Sequence, residues 1–240
     1  MFKKFNLFAI FAIFLMFASS CTEEDSSNTV TDIDGNVYQT VKIGTQTWMV
    51  ENLKTTKYND GTSIPLVSDD NAWLVFSTPG YCYYNNDAAN KTTYGALYNW
   101  YTVNTGKLAP TGWHVPTDAE WTTLENYLIA NGYNYDGMTT GNKIAKSLAA
   151  TTGWVTSTDI GGVGNDLTKN NTSGFAGLPG GCRYTNGTFN YIGANGNWWS
   201  STEDGADGAL ARYLYYNYGD FCRGGNGGQG GLSVRCVRDN

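Results

Sequence analysis

Five cysteines and one histidine are the residues of this chain best suited to covalent or metal chemistry. The cysteines stand at Cys21, Cys82, Cys182, Cys222 and Cys236. No two are spaced Cys-x-x-Cys, so neither a redox motif nor a zinc ribbon is supported. A single histidine excludes multi-histidine metal sites. A Ser-His-Asp arrangement could use only His114 as its base. His114 lies between Trp113 and Val115, just before Thr117-Asp118-Ala119-Glu120, and no Gly-x-Ser-x-Gly accompanies it. It reads instead as a structural histidine, hydrogen-bonded near a helix start. Asp32-Ile33-Asp34-Gly35-Asn36 has the flavour of a calcium loop, but its glycine is misplaced for an EF-hand and no Glu closes the loop, so a hairpin turn is expected. Glu203, Asp204 and Asp207 form an acidic cluster, read as solvated because calcium needs six to eight converging oxygens. No catalytic residue, metal ligand or cofactor is therefore assigned.

The compartment is written at the N-terminus. Met1-Phe2-Lys3-Lys4 is a short basic segment, and Leu7 to Ala18 is an unbroken apolar run, too short to span a bilayer, which needs about 20 residues. Residues 1–20 thus read as a signal peptide. The run ends in Ala18-Ser19-Ser20-Cys21, similar to a bacterial lipobox, which makes Cys21 the expected lipidation site. Residues 21–29 are acidic and polar, with nothing to bury, and read as a tether. The acidic cluster after Cys21 resembles the surface-export signal of Bacteroidota lipoproteins. The expected location is the outer membrane facing the cell surface, with a periplasm-facing orientation as the alternative, and the membrane is a partner through the N-terminal lipid. In such an oxidising compartment the four remaining cysteines suggest two disulfides, for which the spacings allow three connectivities.

Removing Lys3 and Lys4 with the leader leaves 13 of the 15 Lys+Arg against 21 Asp+Glu, so the net charge falls from −6 to −8. With no basic run, a nucleic-acid partner is not expected. All 8 Trp and all 17 Tyr lie beyond the leader, beside many of the 30 Gly, a loop-rich and aromatic-rich composition.

The elements that must position these residues follow from periodicity. Val37–Ile43 alternates as a strand, and Thr47–Val50 continues after a turn. Gly95–Tyr101 is expected to form a short helix packing Leu97, Trp100 and Tyr101. Thr117-Asp118-Ala119-Glu120 is a capping box, followed by Trp121, Leu124 and Leu128 on one helical face and by Asn131-Gly132 as a stop. Asn142–Ala150 can form a second helix carrying Ile144 and Leu148. From Phe175 the pattern is β again. Gly180–Tyr184 and Phe189–Ile192 flank Asn186-Gly187, a hairpin signal. Trp198–Ser201, Leu210–Tyr216 and Leu232–Val237 supply the last strands, while Gly224–Gly231 reads as a loop without apolar side chains.

Tyr, Gly, Asn and Asp dominate residues 203–231, the chemistry of antibody loops. The expected contact surface comprises Tyr218, Asp220, Arg223, Asn226 and Gln229, with Glu203, Asp204 and Asp207 at its rim.

Five ordered segments carry a family resemblance. They are Thr47–Leu53, Tyr94–Trp100, Gly112–Trp121, Trp198–Thr202 and Ser233–Asp239. Through them residues 30–240 resemble the Fibrobacter succinogenes major paralogous domain, a family of surface lipoproteins. That family is similar in turn to the C-type-lectin-like fold of formylglycine-generating enzymes. The resemblance implies an α+β fold: a compact C-type-lectin-like domain with short mixed or antiparallel sheets, two or three helices and long loops, whose termini meet in one sheet. It also implies pairing Cys82 with Cys236, which leaves Cys182 for Cys222. The formylglycine-generating enzymes bind copper through two close cysteines before the last strand, whereas Cys222 has no sequence neighbour of that kind. The expected function is a surface binding module for glycan or protein, without catalysis. An oxygenase-like or hydrolytic enzyme is the alternative.

Overall fold

A computed structural model describes Met1 and residues 28–239. The expected leader, Cys21 and the tether up to Ser27 lie outside the described residues. The fold is α+β, with short helices and several antiparallel sheets. Strands β1 (Thr29–Thr31), β2 (Val37–Ile43) and β3 (Gln46–Met49) run as an antiparallel meander. β4 (Tyr81–Cys82) pairs with β5 (Leu97–Tyr98). β6 (Trp113–His114) joins the meander's sheet at its far edge. β7 (Gly180–Arg183) and β8 (Phe189–Ile192) form the hairpin signalled by Asn186-Gly187, with Gly187 at φ +88° as that turn requires. β9 (Asn195–Glu203), β10 (Gly208–Tyr215) and β11 (Cys222–Gly227) make a three-stranded sheet with β10 central. β12 (Val237–Arg238) inserts between β3 and β6, so both ends of the domain meet in one sheet.

The helices are α1 (Asp70–Leu74), α2 (Asn90–Tyr94), α3 (Trp100–Val103), α4 (Asp118–Ala130) and α5 (Ala145–Leu148). Helix α4 begins as its sequence dictates. The Thr117 hydroxyl accepts from the Glu120 amide while the Glu120 carboxylate accepts from the Thr117 amide. Trp121, Leu124 and Leu128 are fully buried on its inner face, and Gly132 ends it at φ +76°.

Four expectations change. Leu97 lies in β5, not in a helix, and α3 starts only at Trp100 because the Asn99 side chain caps it. The second helix shrinks to α5, with Ile144 just ahead of it and buried like Leu148. Leu232–Val237 is not one strand: Leu232 and Ser233 make isolated bridges to Tyr98 and Trp198 before β12 begins. Gly224–Gly227 belongs to β11 rather than to a loop. Its glycines have little strand propensity, but the ladder from Gly208↔Gly227 to Tyr213↔Cys222 supplies the partners that override it.

Side-chain alternation along β9 divides the core. Trp198 packs with Trp48, Trp121, Phe175 and Leu214, while Trp199 points the other way, toward Tyr38, Tyr98, Val115 and Val234. One buried polar residue ties these layers. Asn52 donates to the Tyr94 carbonyl (2.9 Å) and to Ser233 Oγ (3.2 Å). Its Oδ1 accepts from Trp198 Nε1 (2.8 Å) and from Arg235 Nη2 (3.0 Å). Both donors and both acceptor lone pairs of the amide are thereby used. Gly95 must be glycine for this to fit: at φ +78°, a Cβ there would stand 2.7 Å from the Leu53 carbonyl oxygen and 2.9 Å from Asn52 Cβ.

Two substitutions test this account. Asn52→Ala leaves a buried guanidinium and a buried indole without their acceptor, and is expected to cost about 3–5 kcal/mol in urea denaturation. Trp121→Ala empties the junction with Trp48 (4.6 Å between ring centroids), Phe175 and Phe221 and should also cost about 3–5 kcal/mol. A loss below about 1 kcal/mol for either would show that the residue is not a keystone.

Candidate functional site: a tyrosine-lined groove

The outer face of the β9–β10–β11 sheet and the β7–β8 hairpin enclose an open groove of about 590 Å³. Its residues come from strand alternation. On β10, Arg212 and Leu214 are buried while Tyr213 and Tyr215 are half-exposed and face the groove. Register places Asn197 beside Tyr213 and Asn195 beside Tyr215 on β9, with Cys222 beside Tyr213 on β11. Tyr184 and Tyr191 rise from the hairpin as the facing wall, and Tyr216 completes a set of five tyrosines. The rings are mutually ordered. Tyr213 and Tyr215 lie parallel with centroids 6.1 Å apart, Tyr184 and Tyr191 meet edge to face at 6.1 Å, and Tyr218 meets Tyr215 edge to face at 5.9 Å.

Hydrogen bonds hold the rings. The Tyr213 hydroxyl reaches the Gly225 carbonyl (3.4 Å) and the Asn226 side chain. Tyr184 is bonded to Tyr191, a contact that together with burial keeps its phenol well above the ordinary value. Burial pushes Tyr215 up to about 12. Tyr191 holds a left-handed backbone at φ +65°, uncommon for a bulky residue.

The expected contact residues are brought together only in part. Asn226 lines the groove, and Tyr218 flanks it through Tyr215. Arg223 borders it, but its Nε donates to both oxygens of Asp118 (3.0 Å each). Arg223 stands opposite Arg212 in the ladder, and the two arginines share that carboxylate at the start of α4, on the other face of the sheet from Cys222. That ion pair ties Arg223 to the scaffold, while about half of its side chain, 52%, stays exposed. Asp204 and Asp207 line a neighbouring depression with Asn226, while Glu203, Asp220 and Gln229 line neither hollow. The residues that sequence reasoning did not single out include Tyr184, Tyr191, Tyr213, Tyr215, Tyr216, Asn195 and Asn197. The alternation of 210–216 was the available signal for Tyr213 and Tyr215; nothing local placed the hairpin opposite them.

No disulfide joins the cysteines among the described residues. Cys82, Cys182, Cys222 and Cys236 are all free thiols. Cys82 lies in a small cluster with Val67, Trp73 and Leu97, whereas Cys236 lies in the main core beside Tyr38 and Tyr98, and that separation keeps the pair apart. Burial pushes the Cys82 thiol up to about 12 and Cys182 to about 11. Cys182 and Cys222, the second expected pair, line the same groove without being bonded.

The other chemical candidates resolve into structure. Asp32 accepts from the Asp34 and Asn36 amides, from Asn36 Nδ2 and from Tyr38 Oη, which makes the segment a turn, as expected, with its carboxylate oxygens occupied. Asp34 likewise caps Thr56 and pairs with Lys57. Among the described residues no three His, Cys, Asp or Glu side chains converge on a metal position. His114 sits between two carboxylates, with Nδ1 2.5 Å from Asp239 and Nε2 2.7 Å from Glu120. Burial opposes its charge, but those bonds outweigh burial and raise it above the ordinary value. With both nitrogens so engaged, the ring offers no free lone pair to act as a base. This is the structural histidine at the helix start that its sequence position suggests.

The class defined here is an α+β domain with buried sequence motifs and an open aromatic groove. The family model of the Fibrobacter succinogenes major domain matches residues 41–238, and the chain belongs to that family. No curated protein and no solved structure matches the chain.

The His114 clamp gives a pH prediction with a definite sign. Because the folded value is raised, its stabilisation is complete below the unfolded value of about 6.5 and is lost as pH rises through the folded value. Urea melts of the wild type and His114→Gln between pH 5 and 9 should converge at the alkaline end. The gap at acid pH should be no more than about 1 kcal/mol, since the pair is solvent-screened. A gap that widens with pH would reverse the assignment.

Proposed function

We propose that the mature chain is a lipid-anchored binding module of C-type-lectin-like fold on the outer face of the cell, and that the tyrosine-lined groove is its recognition face. The observation that carries this reading is the division of labour among the aromatic residues. Trp48, Trp121, Trp198 and Trp199 are fully buried, while five tyrosines are left lining an open groove. Half-exposed, mutually ordered tyrosines supply rigid amphipathic contact area at low conformational cost, and asparagine amides beside them supply adaptable hydrogen bonds. The meeting of β12 with the N-terminal meander supports the lectin-like reading. The lipobox-like Cys21 supports anchoring, and no helix among the described residues is long and apolar enough to cross a membrane.

The groove is tested by placing a photoreactive phenylalanine analogue at Tyr191 or Tyr215 of the full chain in cells. Illumination should crosslink it to a surface or extracellular component, while the same group at exposed Met138 should not. Tyr215→Ala should weaken capture of that component at least tenfold and leave the melting temperature within a few degrees. No crosslink from either groove position would end the reading. Anchoring is tested by Cys21→Ser, which should move the protein from the detergent phase to the aqueous phase. An aqueous wild type would exclude the lipid.

A further inference from the structure

We infer that the groove binds an uncharged, hydroxyl-rich glycan chain through its tyrosine faces and asparagine amides, without a bridging metal ion. This rests on the groove's being the recognition face. Charge comes first. The lining contains no Asp, Glu or Lys, and its one cationic residue, Arg223, is tied through Nε to Asp118. A carboxylated, sulfated or phosphorylated ligand would have to compete with Asp118 for that one guanidinium. Nor do the lining oxygens suit a calcium bridge, since they are amide and phenol oxygens with no carboxylate among them. Phenols are uncharged at physiological pH, so the tyrosine side chains add no charge to the lining.

Shape and polarity then select among neutral ligands. A pyranose presents C–H groups on its faces and hydroxyls around its edge. Tyr213 and Tyr215 offer parallel rings 6.1 Å apart on one strand face, a surface on which such C–H faces can stack. Asn195 and Asn197 lie beside those rings in register. Each amide carries both a donor and an acceptor, which matches hydroxyls that do both. Asn197 is buried (3% exposed) and spends Nδ2 on the Gly181 carbonyl (2.8 Å), which fixes its orientation, so Asn195 is the more open of the two amides. Tyr191 is the independent observation. It is half-exposed yet held at φ +65° with its ring set against Tyr184. A strained aromatic kept at a rim and contributing little to the core is better explained by what it contacts than by what it stabilises. A groove of about 590 Å³ falls within the size range of small-ligand pockets and suits a short oligosaccharide segment.

The test is affinity electrophoresis of the detergent-solubilised full chain. The gels carry soluble neutral polysaccharides (a β-glucan, a xylan, a mannan, an α-glucan) or acidic ones (polygalacturonate, a sulfated galactan). At least one neutral polysaccharide should retard the wild type, equally with and without EDTA. The Tyr213→Ala/Tyr215→Ala variant should lose at least tenfold in apparent affinity, and Asn195→Ala, a milder change that spares the aromatic platform, should lose part of it. Melting curves for both variants show whether a loss reflects unfolding. Retardation by acidic polysaccharides alone, loss of retardation in EDTA, unchanged retardation of a folded double variant, or no retardation by any neutral polysaccharide each overturns the inference. If the photoreactive group at Tyr191 or Tyr215 still captures a protein in those cases, the recognition face stands and only the ligand class falls. If it captures nothing, both fall.

Discussion

The fold depends on a single amide. Asn52 is 3% exposed, and its four hydrogen bonds bind Tyr94, Trp198 and the C-terminal pair Ser233 and Arg235, residues from three distant parts of the chain. No apolar side chain could replace it, because the groups that it satisfies are themselves buried and polar. Arg235 shows the same constraint at its sharpest. Burial pulls its guanidinium down from its ordinary value, and no carboxylate bonds to it. It is held instead by the carbonyl oxygens of Phe175 and Asn52 and by the faces of Phe175 (4.2 Å) and Trp198 (5.7 Å). Such a charge is tolerated only if every partner is in place, which couples the C-terminal motif to the rest of the domain.

Two further buried arginines, each with a carboxylate partner, act as ties at the edges. Arg183 lies between Trp73 and Phe189 and bonds to Asp70 and to the carbonyls of Val67 and Gly187, so it fastens the β7–β8 hairpin to the loop before α1. Arg212 fastens β10 to the first turn of α4 through Asp118 and Thr122. These two ties fix the hairpin wall and the sheet floor of the groove. The groove can thus be open and polar while its geometry is set from below, by residues that never reach it.

This arrangement separates two kinds of aromatic residue. The tryptophans of the family motifs spend their rings on the core and their indole N–H groups on internal acceptors, as Trp199 does on the Tyr98 carbonyl and Trp198 on Asn52. The tyrosines of β10 and the hairpin keep part of their surface in solvent. The family motifs therefore specify the scaffold, and the groove residues are not needed to hold it. The thiols follow the same split. Cys82 and Cys236 are held protonated in two separate cores, and Cys182 and Cys222 face the groove.

Local chemistry determined what needed only neighbours in the chain. The capping box fixed the start of α4, the period of Trp121, Leu124 and Leu128 fixed its buried face, and Asn186-Gly187 fixed the hairpin turn, each because the interactions span a few residues. Five ordered motifs were enough to place the chain in its family. What the tertiary structure decided required partners far apart in sequence. Glycines 224–227 became a strand because β10 lay beside them. Arg223 turned away from the expected contact surface because Asp118 waited on the other face. The groove exists because the hairpin was carried across from Tyr213 and Tyr215. Periodicity reveals which side of a strand is buried, but not which distant element will stand opposite the side that is left, since long-range contacts follow from the packing of the whole core.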